Sequence, residues 1–128
     1  MRVEWPDAVL AGEFLGPRDY VVVVSNDPKI DEPGLLAALA QHRADVGAIG
    51  SRRKQKERLE GLRHAGVTEK RIRELHAPIG LDLGGNEPAE LALSIVSELV
   101  AVRRGGSGQM MRELRPIIAG ASGSTDRP

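Results

Sequence analysis

Two apolar runs and the helical stripes between and after them set the plan of this chain. Tyr20 to Val24 are all β-formers with no polar alternation, the pattern of a strand buried on both faces and hence of a parallel sheet. The run ends in Ser25-Asn26-Asp27-Pro28, a cluster of turn-formers. Leu35, Leu36, Leu39 and Ala40 then recur at helical spacing, with Asp31 or Glu32 as the expected cap and Pro33 in the first turn. A second short apolar run, Val46 to Ile49, leads through Gly50 and Ser51 into a segment rich in Arg, Lys, Glu and Leu. That segment predicts a helix from Ser51 to about Ala65, with Leu59, Leu62 and Ala65 on its apolar side and Gly66 as its stop. Strand, helix, strand at these lengths is a βαβ unit, whose crossover is expected to be right-handed.

The flanks carry weaker patterns. Asp7 to Leu15 reads as a short helix after Pro6, and Thr68 opens another in which Ile72 and Leu75 face inward. From His76 to Gly85, apolar residues alternate with Gly and Asp, which suits a short third strand or an extended loop; its glycines imply close backbone approach to a neighbour or a ligand. Glu87-Pro88 opens the longest helix, to about Arg103, apolar around so much of its circumference that it is expected to be nearly enclosed. The fold class expected is α/β, a partial Rossmann-like three-layer arrangement with a short parallel sheet and flanking helices. One domain is expected over residues 1–108, followed by a largely flexible tail over 109–128.

Composition narrows the core and the chemistry. Apolar residues make up 41% of the 128 but aromatics only 2%, so the core is built from Leu, Ile, Val and Ala. With no cysteine, disulfides, thiolate ligands and Cys nucleophiles are excluded. No run approaches the ~18 apolar residues of a membrane span, so a cytoplasmic protein that does not engage membranes is expected. The net charge is zero, yet residues 1–34 hold three Lys/Arg against seven Asp/Glu while residues 51–63 hold six against two. General nucleic-acid binding would call for an overall basic excess, so no nucleic-acid partner is expected; one local basic segment fits a small anion better.

That segment is the sharpest chemical clue. A glycine turn between a buried strand and a helix aims free backbone N–H groups and the positive end of the helix dipole at one spot. Ser51 suits the N-cap, and Arg52, Arg53 and Lys54 crowd three cations onto the first turn. Cations there oppose the dipole unless an anion sits among them; the plainer reading is a solvated basic face. Ser25, Asn26 and Asp27 follow the other strand at the edge where α/β folds bind ligands, although an Asx-turn before Pro28 accounts for Asn26 or Asp27 equally simply. Gly80 and Asp82 complete the candidate set, Asp82 as a turn acid or a ligand contact. Neither G-x-G-x-x-G nor H-E-x-x-H nor G-x-S-x-G occurs, and His42, His64 and His76 are scattered, so no metal site or self-contained active site is expected.

Three motifs in order carry a family resemblance: Ser25-Asn26-Asp27-Pro28-Lys29-Ile30-Asp31, Gly47-Ala48-Ile49-Gly50-Ser51-Arg52-Arg53-Lys54, and His76-Ala77-Pro78-Ile79-Gly80-Leu81-Asp82-Leu83-Gly84. With Glu90 to Arg104 behind them, they resemble the C-terminal Rossmann-like domain of the XdhC/CoxI family, from about Trp5 to Gly108. These are accessory proteins of xanthine dehydrogenase, carbon monoxide dehydrogenase and related molybdenum hydroxylases. The resemblance implies a non-catalytic protein that binds molybdenum cofactor (molybdopterin) as cargo and passes it to a molybdenum hydroxylase client. The anion would then be the phosphate or pyrophosphate of the pterin, and the cofactor-binding residues Ser25, Asn26, Asp27, Gly50, Ser51, Arg52, Arg53, Lys54, Gly80 and Asp82. Asn26 stands where family members usually have His, which removes any role of that His.

The resemblance also implies that this chain holds the second half of a Rossmann-like fold. Its short sheet is then expected to need cover, from a homodimer partner or a separately encoded N-terminal half. Two other functions fit parts of the pattern: an interaction module or truncated fragment that binds no cofactor, and a nicotinamide-dependent oxidoreductase half-domain, against which the missing fingerprint argues.

Overall fold

The two apolar runs pair as parallel strands. In the computed structural model, which describes residues 1–25, 27–41 and 44–114, β1 (Tyr20–Val23) lies beside β2 (Asp45–Ala48) with Tyr20 opposite Asp45 and Val23 opposite Ala48. The chain divides into two units, Met1–Gly80 and Leu81–Pro128. The first is a Rossmann-like α/β unit. Between its strands runs α2 (Pro28–Leu39), and after β2 come α3 (Arg52–His64) and α4 (Glu69–Glu74); α1 (Pro6–Gly12) precedes β1. Strand limits differ from the sequence reading by a single residue.

The segment expected as a third strand or extended loop lies along the far edge of β2. His76 N donates to Val46 O at 2.9 Å, Ala48 N to His76 O at 3.0 Å and Ile79 N to Ala48 O at 2.9 Å. The pairing is parallel, through a single bridge between Gly47 and His76. Gly47 permits this closeness: a Cβ there would stand 2.5 Å from Ile79 Cδ1 and 3.2 Å from the His76 carbonyl oxygen. Both crossovers thus step in the same direction across the sheet, so right-handed connections set α2 and α3 on one face.

Leu35, Ala38 and Leu39 of α2, Val46 and Ala48 of β2, Leu62 of α3 and Leu75 form the buried core, with Leu10, Val21, Val23, Leu36, Leu59, Val67 and Ala77 packed around it. At the N-terminal end of the core the two helix stripes continue into polar residues. Asp31 precedes Leu35 by one turn on α2, and Gln55 and Arg58 precede Leu59 and Leu62 on α3. Asp31 Oδ2 accepts from Arg58 Nη2 at 2.8 Å, with side-chain exposures of only 3% and 8%. Elsewhere the side chains tie off helix ends. Gln41 Nε2 donates to the Leu10 and Glu13 carbonyls, and Arg71 donates to the Leu39 carbonyl.

Helix boundaries follow the caps. Ser51 Oγ accepts from Lys54 N at 3.2 Å and Thr68 Oγ1 from Arg71 N at 3.3 Å, as the sequence predicts. After α3, Gly66 N donates to Arg63 O and Val67 N to Leu62 O, the paired bonds of a Schellman stop. The expectation that Asp31 or Glu32 caps α2 is wrong. The helix starts a turn earlier, with Asp27 as N-cap accepting from Lys29 N at 3.0 Å, Pro28 in the first turn and Pro33 inside the helix. Asp31 is drawn inward to Arg58 instead of back onto its own backbone. The first helix also ends earlier than expected, at Gly12 rather than Leu15.

In the second unit, Pro88 opens α5 (Pro88–Arg104), and Glu87 N donates to Glu90 Oε1 at 3.3 Å. Leu81 N donates to the Ser94 carbonyl at 3.2 Å, laying the entering chain along the helix. The unit does not enclose α5 as expected: Leu93, Val96 and Val100 are 60%, 54% and 53% exposed. They recur at i, i+3, i+7 and so form one apolar stripe. A short α6 (Met111–Leu114) follows, and the rest of the expected tail lies outside the described residues.

Two substitutions test this packing. Gly47→Ala is expected to lower stability by about 1–3 kcal/mol, read from the urea midpoint, because a core already in contact must shift. Arg58→Met, which strands the Asp31 carboxylate, is expected to cost about 3–5 kcal/mol, whereas the Asp31→Leu/Arg58→Met double variant recovers most of the loss.

Candidate functional site

Parallel pairing brings the loop after β1, the loop after β2 and the end of the His76–Ile79 segment to one edge of the sheet. Val23 is opposite Ala48, and Ile79 N bonds the Ala48 carbonyl, so Ser25–Asp27, Gly50–Lys54 and Gly80 all follow strand ends on that edge. This is the edge at which open α/β sheets bind ligands.

The loop after β2 is the more elaborate of these. Gly50 has φ +130°, a conformation that side-chain-bearing residues rarely adopt, and a Cβ there would meet Gln55 Nε2 at 3.0 Å. The Ile49 carbonyl accepts from Gln55 Nε2 at 2.9 Å and from Arg58 Nη1 at 3.0 Å, while Arg58 Nη1 also reaches Gln55 Oε1 at 2.7 Å. Ile49 N in turn donates to the Val23 carbonyl. The turn is thus gripped from below by α3 and from the side by β1. Sequence reasoning missed Asp31, Gln55 and Arg58 as a unit; the available signal was that the inward-facing periodicity of both helices runs on into them.

Above this base the first turn of α3 carries the predicted cations. Ser51 Oγ and Ser51 O take up the N–H groups of Lys54 and Gln55. Helix geometry leaves the N–H groups of Arg52 and Arg53 without intrahelical acceptors. Arg52, Arg53 and Lys54 are all exposed. Arg53 lies 3.9 Å from Glu57, but at 91% and 71% side-chain exposure this pair does little to offset the repulsion from the dipole. The arrangement offers an incoming anion N–H donors, a dipole end and cations that need no desolvation to reach it.

The other predicted residues have local roles. Ser25 Oγ accepts from Asp27 N at 3.0 Å and Asp27 Oδ1 caps α2, so both side chains shape the turn after β1. Gly80 stands at the edge with φ +115°. Asp82 belongs to the second unit, where its Oδ1 accepts from Gly84 N at 3.1 Å in an Asx-turn. Asn26 lies outside the described residues. Among the described residues no cluster of three His, Asp or Glu is arranged to hold a metal, and no helix is long and apolar enough to cross a membrane.

Several known proteins share this stretch of chain. It is 35% identical over 95 residues to the uncharacterized protein YqeB of Escherichia coli K12, covering 74% of this chain and 17% of that protein. It is 30% identical over 83 residues to the molybdenum cofactor insertion chaperone PaoD of the same organism, covering 65% and 26% respectively. A probable xanthine dehydrogenase component of Bacillus subtilis is 25% identical over 100 residues, covering 78% and 28%. The chain therefore spans less than a third of each of these relatives. A crystal structure described as a xanthine dehydrogenase from Bacillus halodurans superposes with a TM-score of 0.66, at 24% identity over 81% of this chain and 30% of that one, which shows the same fold. The XdhC Rossmann domain family matches residues 2–99, and the chain accordingly belongs to the XdhC family.

Proposed function

We propose that this chain is a molybdenum-cofactor-binding accessory domain that assists maturation of a molybdenum hydroxylase of the xanthine or carbon monoxide dehydrogenase type. The carrying observation is the Gly50–Lys54 turn. Three cations stand on the first turn of α3, against the dipole, at the ligand-binding edge of a parallel sheet. An anionic cargo turns that local conflict into a favourable contact. The pterin phosphate supplies the anion, and Ser51, Arg52, Arg53 and Lys54 hold it. The relative PaoD, by name a molybdenum cofactor insertion chaperone, supports the same reading. Ser25, Asp27 and Gly80 serve by shaping the rim, and the role is one of binding and transfer, with no bond made or broken by the chain itself.

The domain works in an assembly, with a client enzyme and either a second copy or a polypeptide bearing the first Rossmann half. A groove of about 390 Å3 runs along β1 and is lined mainly by Val21 to Val24, Val9, Leu10, Pro6 and Ile30. With the exposed stripe of α5, it gives apolar surface suited to a protein partner. That same surface favours the second reading, an interaction module that binds no cofactor.

Arg52→Ala/Arg53→Ala is expected to weaken phosphate and cofactor binding by about tenfold or more, measured by calorimetry, because charge-assisted hydrogen bonds are lost. Its thermal midpoint should stay unchanged or rise slightly, since repulsion from the dipole is relieved. Unchanged binding in this variant would favour the interaction-module reading. Sedimentation of the purified chain at micromolar concentration is expected to give a dimer or larger species. A cooperative monomer that binds no apolar dye would contradict the assembly.

A further inference from the structure

Asp31 is the unexplained group in this fold. It is 3% exposed, and Arg58 satisfies Oδ2, yet Oδ1 is sealed from solvent with no hydrogen-bond partner among the described residues. Leaving a carboxylate oxygen in this state is costly, and such groups are few in native proteins. Arg58 cannot turn to relieve it without cost, because its other nitrogen holds the Ile49 carbonyl and Gln55.

Asp31 lines a cleft between the N-terminal turns of α2 and α3, together with Pro28, Glu32, Lys54, Glu57 and Arg58. Three carboxylates face two cations there, and Arg58 is already committed to Asp31. The interior of the cleft is therefore rich in acceptors, the opposite of a phosphate site. Its lip, at Ser51 to Lys54, is cationic. The volume is about 110 Å3, room for a few waters or one edge of a ring rather than a whole cofactor. A ligand that suits both parts must carry N–H donors at one end and an anion at the other.

We propose that the cleft is a subsite for the hydrogen-bond-donating edge of a phosphorylated pterin, with the amino and ring N–H groups given to Asp31 and the phosphate resting on the first turn of α3. The assignment rests on the cofactor-binding reading above and adds the orientation of the cargo. Glu32, Lys54 and Glu57, long side chains around the cleft, turn aside to admit the ring edge to Oδ1. Arg58 acts as a positioning residue: it holds the carboxylate in place and keeps one oxygen for the ligand.

The test compares three probes on the purified chain: inorganic phosphate, a pterin bearing a phosphomonoester, and the same compound lacking the exocyclic amine. The aminated pterin phosphate is expected to bind about tenfold more tightly than the other two, one lost hydrogen bond to a charged group accounting for that factor. Asp31→Asn should remove this advantage and leave affinity for inorganic phosphate unchanged. Equal affinity for the aminated and amine-free compounds in the unaltered chain overturns the subsite, even if the variant fails to fold. So does an equal loss for all three probes in Asp31→Asn, which would make Asp31 a strut only. If the unaltered chain binds phosphate and both pterins alike, the subsite alone fails; if it binds none of them, the cofactor-binding reading fails with it.

Discussion

The ion pair between Asp31 and Arg58 is the contact on which the candidate site depends. It joins the N-terminal turns of the two helices that flank the binding edge, and Arg58 extends the same grip to the Ile49 carbonyl at the base of the glycine turn. A buried pair of this kind contributes little net stability compared with apolar residues of the same volume, because both charges lose their hydration. What it supplies is geometry. Helices packed only through Leu35, Leu39, Leu59 and Leu62 could slide by a fraction of a turn, whereas a guanidinium with three acceptors fixes where α3 begins relative to Ile49 and Gly50.

Much of the first unit was legible because its signals are local. The run Tyr20 to Val24, the caps Ser51 and Thr68, the stop at Gly66 and the start at Pro88 each depend on a few consecutive residues, and each is found close to where the pattern puts it. The start of α2 was misplaced because two cap signals lie within one turn, and the outcome depends on Arg58, 27 residues away. No local window contains that information. The third extended segment was open between strand and loop for a similar reason: its ladder with β2 requires the close approach that Gly47 allows.

The candidate site divides along the same line. Its cationic turn is written contiguously in Gly50 to Lys54, so its place at a helix start could be read directly. The acceptor-rich cleft beside it is assembled from α2 and α3 and shows in the sequence only as polar residues continuing two inward-facing stripes. Ser25 and Asp27 drew attention for being at a strand end, and their side chains are spent on the turn itself. A polar residue at the ligand edge of an α/β sheet is as often part of the scaffold as part of the contact.

The central claim is that the C-terminal edge of this short parallel sheet holds a phosphorylated pterin with its anion on the first turn of α3. Titrating molybdopterin into isotope-labelled protein while following the backbone amide resonances tests it most directly. The account predicts the largest shifts at Arg52, Arg53 and Lys54, whose N–H groups open α3, with smaller ones at Gly50 and Asp31. Shifts confined to α5 or to the β1 groove, or none at millimolar ligand, would contradict it.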